Sequence, residues 1–183
     1  MKDVNLIISE DIKRIYPNKT NLLRKIKLIL TNDQTRIRSK YMIYMRKCDF
    51  ITYQEKSVLR KILKLYYQRK KNKYGLLLGY EIGSQNIGKG LCLYHNGPIV
   101  INGNSKIGEY CSFHGDNCVG NNGNDDICPI IGNNVDVGVG AKIIGNVKIA
   151  NNVKIGAGSV VVNDILEEGA TVVGIPGRIV RMK

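Results

Sequence analysis

The chain has two histidines, and both lie in short motifs near its middle. His95 lies in Leu93-Tyr-His-Asn-Gly, and His114 lies in Cys111-Ser-Phe-His-Gly. An imidazole titrates near neutral pH, so a positioned histidine can act as a general base and take the proton of a hydroxyl group. A single histidine is more often a solvated turn residue. Two of them just ahead of a polar stretch at 120–126 indicate a site, and they predict general-base chemistry.

The second half of the chain, which contains both histidines, has a six-residue period of apolar residues. Neither the 3.6-residue period of a helix nor the alternation of a strand gives a period of six. A three-walled prism does, because each unit forms one wall and one corner and three units complete a turn. We therefore predict a parallel β-helix whose core is filled by the recurring residues, Ile101, Ile107, Phe113, Val119, Ile131, Val137, Ile143, Ile149, Ile155 and Val161.

The same period predicts where the two histidines lie relative to each other. Leu93 and Phe113 are separated by three units plus a two-residue slip in phase between Ile99 and Ile101. They should therefore stack one turn apart. His95 and His114 would then lie near one another on the same edge of the prism, staggered by one position. The segment 120–130 lacks an aliphatic residue at the expected place, and we interpret it as an excursion from the wall.

The front of the chain differs from the β-helix in pattern and in charge. Residues 1–80 contain 20 Lys and Arg against 6 Asp and Glu, whereas residues 81–183 contain 8 against 9. Helical periodicity predicts helices near the N-terminus, over 21–30, over about 34–47, and from near Thr52 to just before Gly75. We predict a basic α-helical cap over 1–75, the β-helix over 76–166 and a C-terminal covering tail over 167–183.

Composition excludes several other classes of protein. The first residues, MKDVNLIISEDIK, carry acids where a secretory signal would be apolar, and no run approaches the roughly 18 apolar residues that span a bilayer. The cysteines are odd in number and form no CxxC pair, so we expect neither a disulfide framework nor a metal site. This predicts a cytoplasmic location with reduced thiols at Cys48, Cys92, Cys111, Cys118 and Cys128.

Three segments give the pattern a family likeness. They are Val137-Gly-Val-Gly-Ala-Lys-Ile-Ile-Gly, Lys154-Ile-Gly-Ala-Gly-Ser-Val-Val and Gly174-Ile-Pro-Gly-Arg-Ile-Val. Over about 75–183 the chain resembles the serine acetyltransferase-like branch of the hexapeptide-repeat acyltransferases. The resemblance implies a left-handed β-helix, a homotrimer, and acetyl-CoA as the acetyl donor, bound in the cleft between neighbouring subunits.

The resemblance also implies roles for individual residues. The motif around His95 matches the family's first catalytic histidine, so His95 is the implied base, and we expect His114 to be a second catalytic-site residue. Backbone around Val139 and Ala157 matches the pantetheine contacts, and Val162 matches the next contact. The two tail arginines match residues that sugar O-acetyltransferases of this superfamily turn toward the CoA phosphates, a geometry that guanidinium groups suit; they are Arg178 and Arg181.

The chain departs from serine acetyltransferases where those enzymes hold their acceptor. Ile127-Cys128-Pro129 stands where they carry Arg-His-Pro, and Tyr94 replaces the aspartate before the first histidine. Neutral residues cannot pair with the carboxylate and ammonium of serine, so these changes argue against free serine as the acceptor. Cys128 could serve as a nucleophile, but a small apolar filler is the simpler interpretation. The residues expected to contact the acceptor are Tyr94, Asn96, Asp116 and Cys128.

Three functions remain open from the sequence. The leading hypothesis is an acetyl-CoA-dependent O-acetyltransferase acting on a sugar hydroxyl of a bacterial surface polysaccharide, such as capsule, or of its precursor. The alternatives are a serine O-acetyltransferase of cysteine biosynthesis and a non-catalytic basic binding module. The basic cap could contact an anionic polymer or the inner face of the membrane, or pack across a trimer axis. No nucleic-acid motif accompanies the basic residues, so we expect no nucleic-acid partner.

Overall fold

The computed structural model describes residues 3–16, 22–53, 57–83 and 85–180. Its first part is helical, with α1 (Val4–Ile15), α2 (Leu22–Leu30), α3 (Gln34–Thr52) and α4 (Val58–Leu78). Polar residues set three of the starts, because the side chains of Asp3, Asp33 and Ser57 each accept a backbone N–H of the first turn. None of the described helices is both long and apolar enough to cross a bilayer.

Three helix boundaries differ from the sequence prediction, because α3 runs past Lys47 and both ends of the last helix are shifted. Thr52 ends α3 instead of beginning the last helix, which starts after the Ser57 cap. The last helix does not end before Gly75 but runs on to Leu78, and Gly79 closes it in the left-handed region. Gly75 is needed for close packing, since a Cβ there would lie 2.7 Å from the carbonyl oxygen of Tyr80.

The second part is a three-walled prism, as the sequence predicted, and the strands in each wall are parallel except for the last one. The first wall contains β1 (Tyr80–Ile82), β3 (Ile99–Ile101), β6 (Asn117–Gly120), β9 (Lys142–Ile144) and β12 (Val160–Val161). The second contains β4 (Lys106–Ile107), β7 (Ile130–Ile131) and β10 (Lys148–Ile149). The third contains β2 (Cys92–Leu93), β5 (Ser112–Phe113), β8 (Asp136–Val137), β11 (Lys154–Ile155), β13 (Thr171–Val173) and β14 (Arg178–Val180).

The core of the prism is the predicted aliphatic ladder. All ten residues of the six-residue period are buried, with at most 4% of any of them exposed. Residues 121–129 form no strand and leave the wall between β6 and β7, as expected for the excursion. At the far end β13 pairs parallel with β11, and β14 turns back antiparallel to cover it.

The helical cap is fastened to the first coil of the prism by a buried ion pair. Asp11 of α1 is fully buried, and its carboxylate accepts from Arg46 Nε at 2.7 Å and from the Leu91 N–H at 2.9 Å. Arg46 of α3 also donates to the backbone carbonyls of Ile87 and Gly88. Both charges therefore have partners, which a buried ion pair requires. This contact fixes the cap above the coil that carries His95.

Candidate active site

The two histidines lie on consecutive coils at one edge of the third wall. Strand pairing places Leu93 beside Phe113, and Phe113 beside Val137. Counting one residue onward from these inward side chains aligns Tyr94 with His114. Counting two residues onward aligns His95 with Gly115 and then, on the next coils, with Val139 and Ala157. The one-position stagger that the sequence predicted follows directly from this register.

His114 is held from two sides. Its Nε2 lies 2.8 Å from Oδ1 of Asp136 on the neighbouring strand. The ring of Tyr94 stacks on the imidazole with centroids 4.5 Å apart and planes inclined by 16°. When neutral, the imidazole donates the Nε2 proton to the carboxylate, because an ionised Asp136 can only accept. Nδ1 is then left as the acceptor nitrogen, so the carboxylate selects the tautomer of His114.

His95 is held through its backbone. Its carbonyl oxygen accepts a hydrogen bond from the Tyr80 hydroxyl at 2.8 Å, and the preceding carbonyl of Tyr94 accepts from Arg38 of the cap. Burial raises the pKa of Tyr80 to about 12, so the phenol remains a donor at neutral pH. The His95 side chain is exposed and lines a groove. Its ring is therefore positioned at the mouth of a concave surface without being enclosed.

The groove below His95 follows the edge of the prism from the coil of His95 to Thr171 of β13. Its volume is about 430 Å³. Small residues keep its floor low, and a Cβ at Gly138 would lie 2.7 Å from the backbone nitrogen of Ala157 on the next coil. The groove is lined by His95, His114, Asp136, Gly138, Val139, Lys154, Ile155, Gly156, Ala157 and Thr171. Both histidines and two of the predicted cofactor contacts thus meet on one surface.

A second concave surface continues up the third wall from the same two residues. His114 and Asp136 line both surfaces. The upper one is polar, and it is bounded by Tyr94, Tyr110, Ser112, Asn134 and Arg14 from α1. Arg14 donates to the carbonyls of Gly90 and Tyr110 and to the Ser112 hydroxyl, so the cap forms part of this surface.

The remaining predicted site residues lie away from the groove lining. Asn96 is exposed at the corner after His95. Asp116 is exposed and pairs with Lys142, with Nζ and Oδ1 3.1 Å apart. Cys128 is buried, with 6% exposed, whereas its neighbour Ile127 is half exposed. Their roles in acceptor binding stay predictions.

Two of the other three predicted cofactor contacts lie elsewhere on the prism. Val162 follows β12 and is exposed at the end of the first wall, not on the third. Arg178 is exposed on β14, beside Val173 of β13. Arg181 lies outside the described residues. Their contacts with CoA stay predictions as well.

The buried thiols near the site are poorly suited to nucleophilic chemistry. Burial raises the pKa of Cys111 to about 11 and also raises the pKa of Cys92. A thiol must ionise to attack, so both remain in the unreactive form at neutral pH. Within the described ranges no group of three His, Cys, Asp or Glu side chains is arranged to hold a metal ion. The two imidazoles offer acid–base chemistry beside these thiols.

Sequence reasoning missed Asp136 and Lys154. Both precede an inward residue of the six-residue period, Val137 and Ile155, and both face outward on the third wall. They lie opposite each other in the ladder, since Lys154 pairs with Asp136. Aligning the outward positions of successive coils with Ser112 would have placed Asp136 beside the coil that carries His114. The signal for Asp136 therefore lies in the polar positions of the repeat and not in the apolar ones.

Two curated relatives each match somewhat more than half of the chain. Serine acetyltransferase of Synechococcus elongatus is 42% identical over 108 residues, which cover 57% of this chain and 44% of the relative. WcaB of Escherichia coli K12, provisionally named an acetyltransferase of colanic acid biosynthesis, is 38% identical over 103 residues, covering 55% and 63%. The chain spans about half the length of these relatives. No protein-family model matches the sequence.

Solved structures extend the likeness to the helical cap. Soybean serine acetyltransferase superposes with a TM-score of 0.71 at 25% identity, over 97% of this chain and 69% of that one. The Neisseria gonorrhoeae serine acetyltransferase gives a TM-score of 0.67 at 27% identity, over 97% and 66%. The fold is therefore that of the serine acetyltransferases, a left-handed β-helix with a helical front, as the sequence predicted.

Proposed function

We propose, from its resemblance to the serine acetyltransferase-like branch of the hexapeptide-repeat acyltransferases, that this chain is an acetyl-CoA-dependent O-acetyltransferase with His95 as its base. The observation that carries the proposal is the alignment of His95 with Val139 and Ala157 along one groove. His95 lies at the upper end of this groove. Among the described residues its imidazole has no carboxylate partner, whereas His114 is paired with Asp136. An extended pantetheine arm could follow such an edge.

The proposed reaction needs one proton carrier and one acyl donor. His95 accepts the proton of the acceptor hydroxyl as its oxygen bonds to the thioester carbonyl carbon. Collapse of the tetrahedral intermediate breaks the carbon–sulfur bond, and the imidazolium returns the proton to the CoA sulfur. The products are an acetyl ester and CoA. Such general-base assistance contributes about 10²–10⁴-fold to the rate.

The donor would lie along the lower groove. Val139 and Ala157 are exposed turn residues on successive coils, and their small neighbours let an extended chain approach the backbone. Lys154 adds a positive charge to the groove, which suits the phosphates of CoA. Val162, Arg178 and Arg181 are further proposed contacts. They could contribute if the donor wraps the end of the prism or lies between subunits of a homotrimer, which we also propose.

The proposed acceptor is a sugar hydroxyl of a surface polysaccharide, such as capsule, or of its precursor. The upper surface offers Tyr94, His114, Asn134 and Asp136 as hydrogen-bonding groups around the histidines. Neutral Tyr94 and the Ile127-Cys128 pair stand where the resemblance would require charged contacts to serine. The likeness to WcaB, whose name refers to colanic acid biosynthesis, supports the same choice. Asn96, Asp116 and Cys128 remain proposed acceptor contacts from the sequence.

Serine acetylation is the second candidate, because several curated relatives and structural neighbours are named serine acetyltransferases. A non-catalytic binding module is less consistent with a histidine aligned to an open groove. We place the reaction in the cytoplasm, where acetyl-CoA is made, with the basic cap free to contact an anionic polymer or a membrane.

The test is acetyl-CoA consumption by the purified chain against a panel of sugar acceptors and free serine. The proposal expects turnover on at least one sugar hydroxyl, weak or no turnover on serine, and a fall of about 10²–10⁴-fold in kcat for His95→Ala. His95→Asn serves as a second variant, because it removes the imidazole and keeps a polar side chain at the corner. Efficient turnover of serine would reject the sugar assignment, and full activity of His95→Ala would remove the proposed base.

A further inference from the structure

The short helix α2 presents its apolar side away from the rest of the chain. Five of its residues fall within an arc of about 120° at 3.6 residues per turn. Leu28, on the other side of the helix, is half-buried, and α2 contacts α3. Surface helices normally turn the apolar side inward, so the arrangement here is inverted. The exposed fractions of the outward residues, hereafter the α2 stripe, are 73% for Leu22, 76% for Leu23, 44% for Ile26, 54% for Ile29 and 81% for Leu30.

The charged residues of α2 and of α4 are all basic. The sequence of α2 contains Arg24, Lys25 and Lys27 and no acidic residue. The sequence of α4 contains seven Lys and Arg and likewise no acidic residue. An amphipathic helix with bases beside its apolar side is the composition that binds in the plane of an anionic membrane surface. The nearest acid along the chain, Asp33, is occupied in capping α3.

A second copy of the chain fits this surface less well. Packing two α2 stripes against each other would bring the flanking bases of both copies together with no acid from either α2 between them. Like charges so arranged oppose association. An anionic bilayer is complementary to both the apolar side chains and the bases. The apolar side chains can insert at its acyl boundary, and its headgroups attract each nearby base by about 1 kcal/mol.

We propose that α2 docks this chain on an anionic lipid bilayer, with the α2 stripe inserted at the boundary between headgroups and acyl chains. Nine residues of helix are about 14 Å long, so α2 lies in the membrane plane and does not cross it. The bases of α2 and α4 supply the attraction to anionic lipid. This docking is independent of acetyl transfer, since α2 contributes no residue to the groove or to the upper surface.

The test is co-sedimentation of the full chain with vesicles of phosphatidylcholine alone and of phosphatidylcholine mixed with phosphatidylglycerol. The wild type should bind the mixed vesicles and not the neutral ones, and added salt should weaken the binding. In Leu23→Gln/Leu30→Gln the partition coefficient should fall by at least about tenfold, because two inserted leucines are lost. Lys27→Glu should weaken binding to the mixed vesicles while leaving the apolar side intact.

Leu166→Gln is the matched control, since it replaces a leucine that is 69% exposed on the β-helix, and it should bind as the wild type does. Circular dichroism confirms that each variant is folded, and light scattering without lipid reports the oligomeric state. Equal binding to both vesicle types, unchanged binding by the α2 variants, or a smaller assembly of those variants without lipid would each overturn the proposal. Acetyl-CoA consumption by the α2 variants without lipid should equal that of the wild type, so failure of either proposal is recognised separately.

Discussion

The two histidines differ in what surrounds them, and that difference suggests a division of labour. His114 has a carboxylate partner in Asp136 and an aromatic neighbour in Tyr94. His95 is fixed through its backbone and keeps its ring toward the groove. Either imidazole could take a proton, since Nδ1 of His114 remains an acceptor while Nε2 donates to Asp136. We propose His95 as the catalytic residue because it aligns with Val139 and Ala157 along the groove, and the predicted catalytic role of His114 becomes, in this proposal, that of a positioning residue together with Asp136.

The first prediction concerns Asp136→Asn. The amide can no longer enforce donation from Nε2 of His114, because it offers both a donor and an acceptor. We expect kcat/KM for the acceptor to fall about tenfold, less than the loss from removing a general base. The change should lie mainly in the KM of the acceptor, and the KM of acetyl-CoA should stay near that of the wild type. Steady-state kinetics with each substrate varied in turn gives this separation.

Asp164→Asn is the control for this variant, since Asp164 caps the Lys148 N–H at another corner of the prism. It should leave both KM values unchanged. An equal loss in the two variants would indicate a general effect of removing an acid. A change confined to the KM of acetyl-CoA would contradict the assigned role of His114 and Asp136.

At the scale of residues, the sequence predicted the neighbourhood of the histidines but not the partner of His114. The six-residue period places His95 and His114 because inward side chains repeat in register. Asp136 carries no such signal, since outward positions vary and many acids are solvated. Tyr94 was predicted as an acceptor contact, whereas its stacking on His114 depends on side-chain rotamers that no spacing predicts.

The cap and the prism are joined at the scale of elements by the ion pair of Asp11 and Arg46. Arg46 is 4% exposed and Asp11 is fully buried, so neither charge has access to water. Removing one partner of a buried pair leaves the other uncompensated, which costs about 3–5 kcal/mol. The pair links α1 and α3 to the backbone of the first coil.

The second prediction is that Asp11→Asn lowers the free energy of unfolding by about 3–5 kcal/mol, measured by denaturant titration. The reason is the buried Arg46 charge that the variant leaves behind. Lys13→Gln, which breaks an exposed ion pair with Glu10 on the same helix, should have no measurable effect. Equal stability of wild type and Asp11→Asn would show that the junction tolerates an unpaired arginine. That result would contradict this account of how the cap is held.

The sequence predicted the helices and the repeat at this scale, and failed at particular boundaries. Glycine disfavours helices, so the sequence predicts a helix end before Gly75, yet tertiary packing against Tyr80 keeps this residue inside α4. The spacing of the apolar residues in α2 places them on one side of the helix. The spacing does not predict that this side faces outward, because periodicity defines a stripe and not the neighbour that it meets.

At the scale of the whole molecule, the buried thiols and phenols should make the free energy of unfolding fall at alkaline pH. Burial raises the pKa of Cys111 to about 11, raises that of Tyr80 to about 12, and raises those of Cys92 and Tyr41. These groups ionise more easily in the unfolded chain than in the folded one. The free energy of unfolding therefore has its full value below the pKa of these groups in the unfolded chain. It falls as the pH rises toward their pKa in the folded chain.

The third prediction is a fall in the free energy of unfolding between pH about 9 and 11, the interval between the ordinary and the folded pKa of the Cys111 thiol. The slope from each such group approaches about 1.4 kcal/mol per pH unit. Denaturant titrations across this range measure it, and Cys111→Ala should show a shallower slope than the wild type. A free energy independent of pH in this interval, or an unchanged slope in Cys111→Ala, would contradict the assignment.

The central claim for the whole molecule is that the edge below His95 carries the acetyl donor. Titration calorimetry with CoA on the wild type, Ala157→Phe and Asn146→Phe tests it most directly. Ala157 is exposed in the groove and Asn146 is exposed at another corner, so neither phenylalanine should disturb the core. We expect CoA to bind the wild type and Asn146→Phe alike, and to bind Ala157→Phe at least about tenfold more weakly, because losing contacts worth 1.4 kcal/mol has that effect. No heat of binding in the wild type, or equal affinity in all three proteins, would contradict the account.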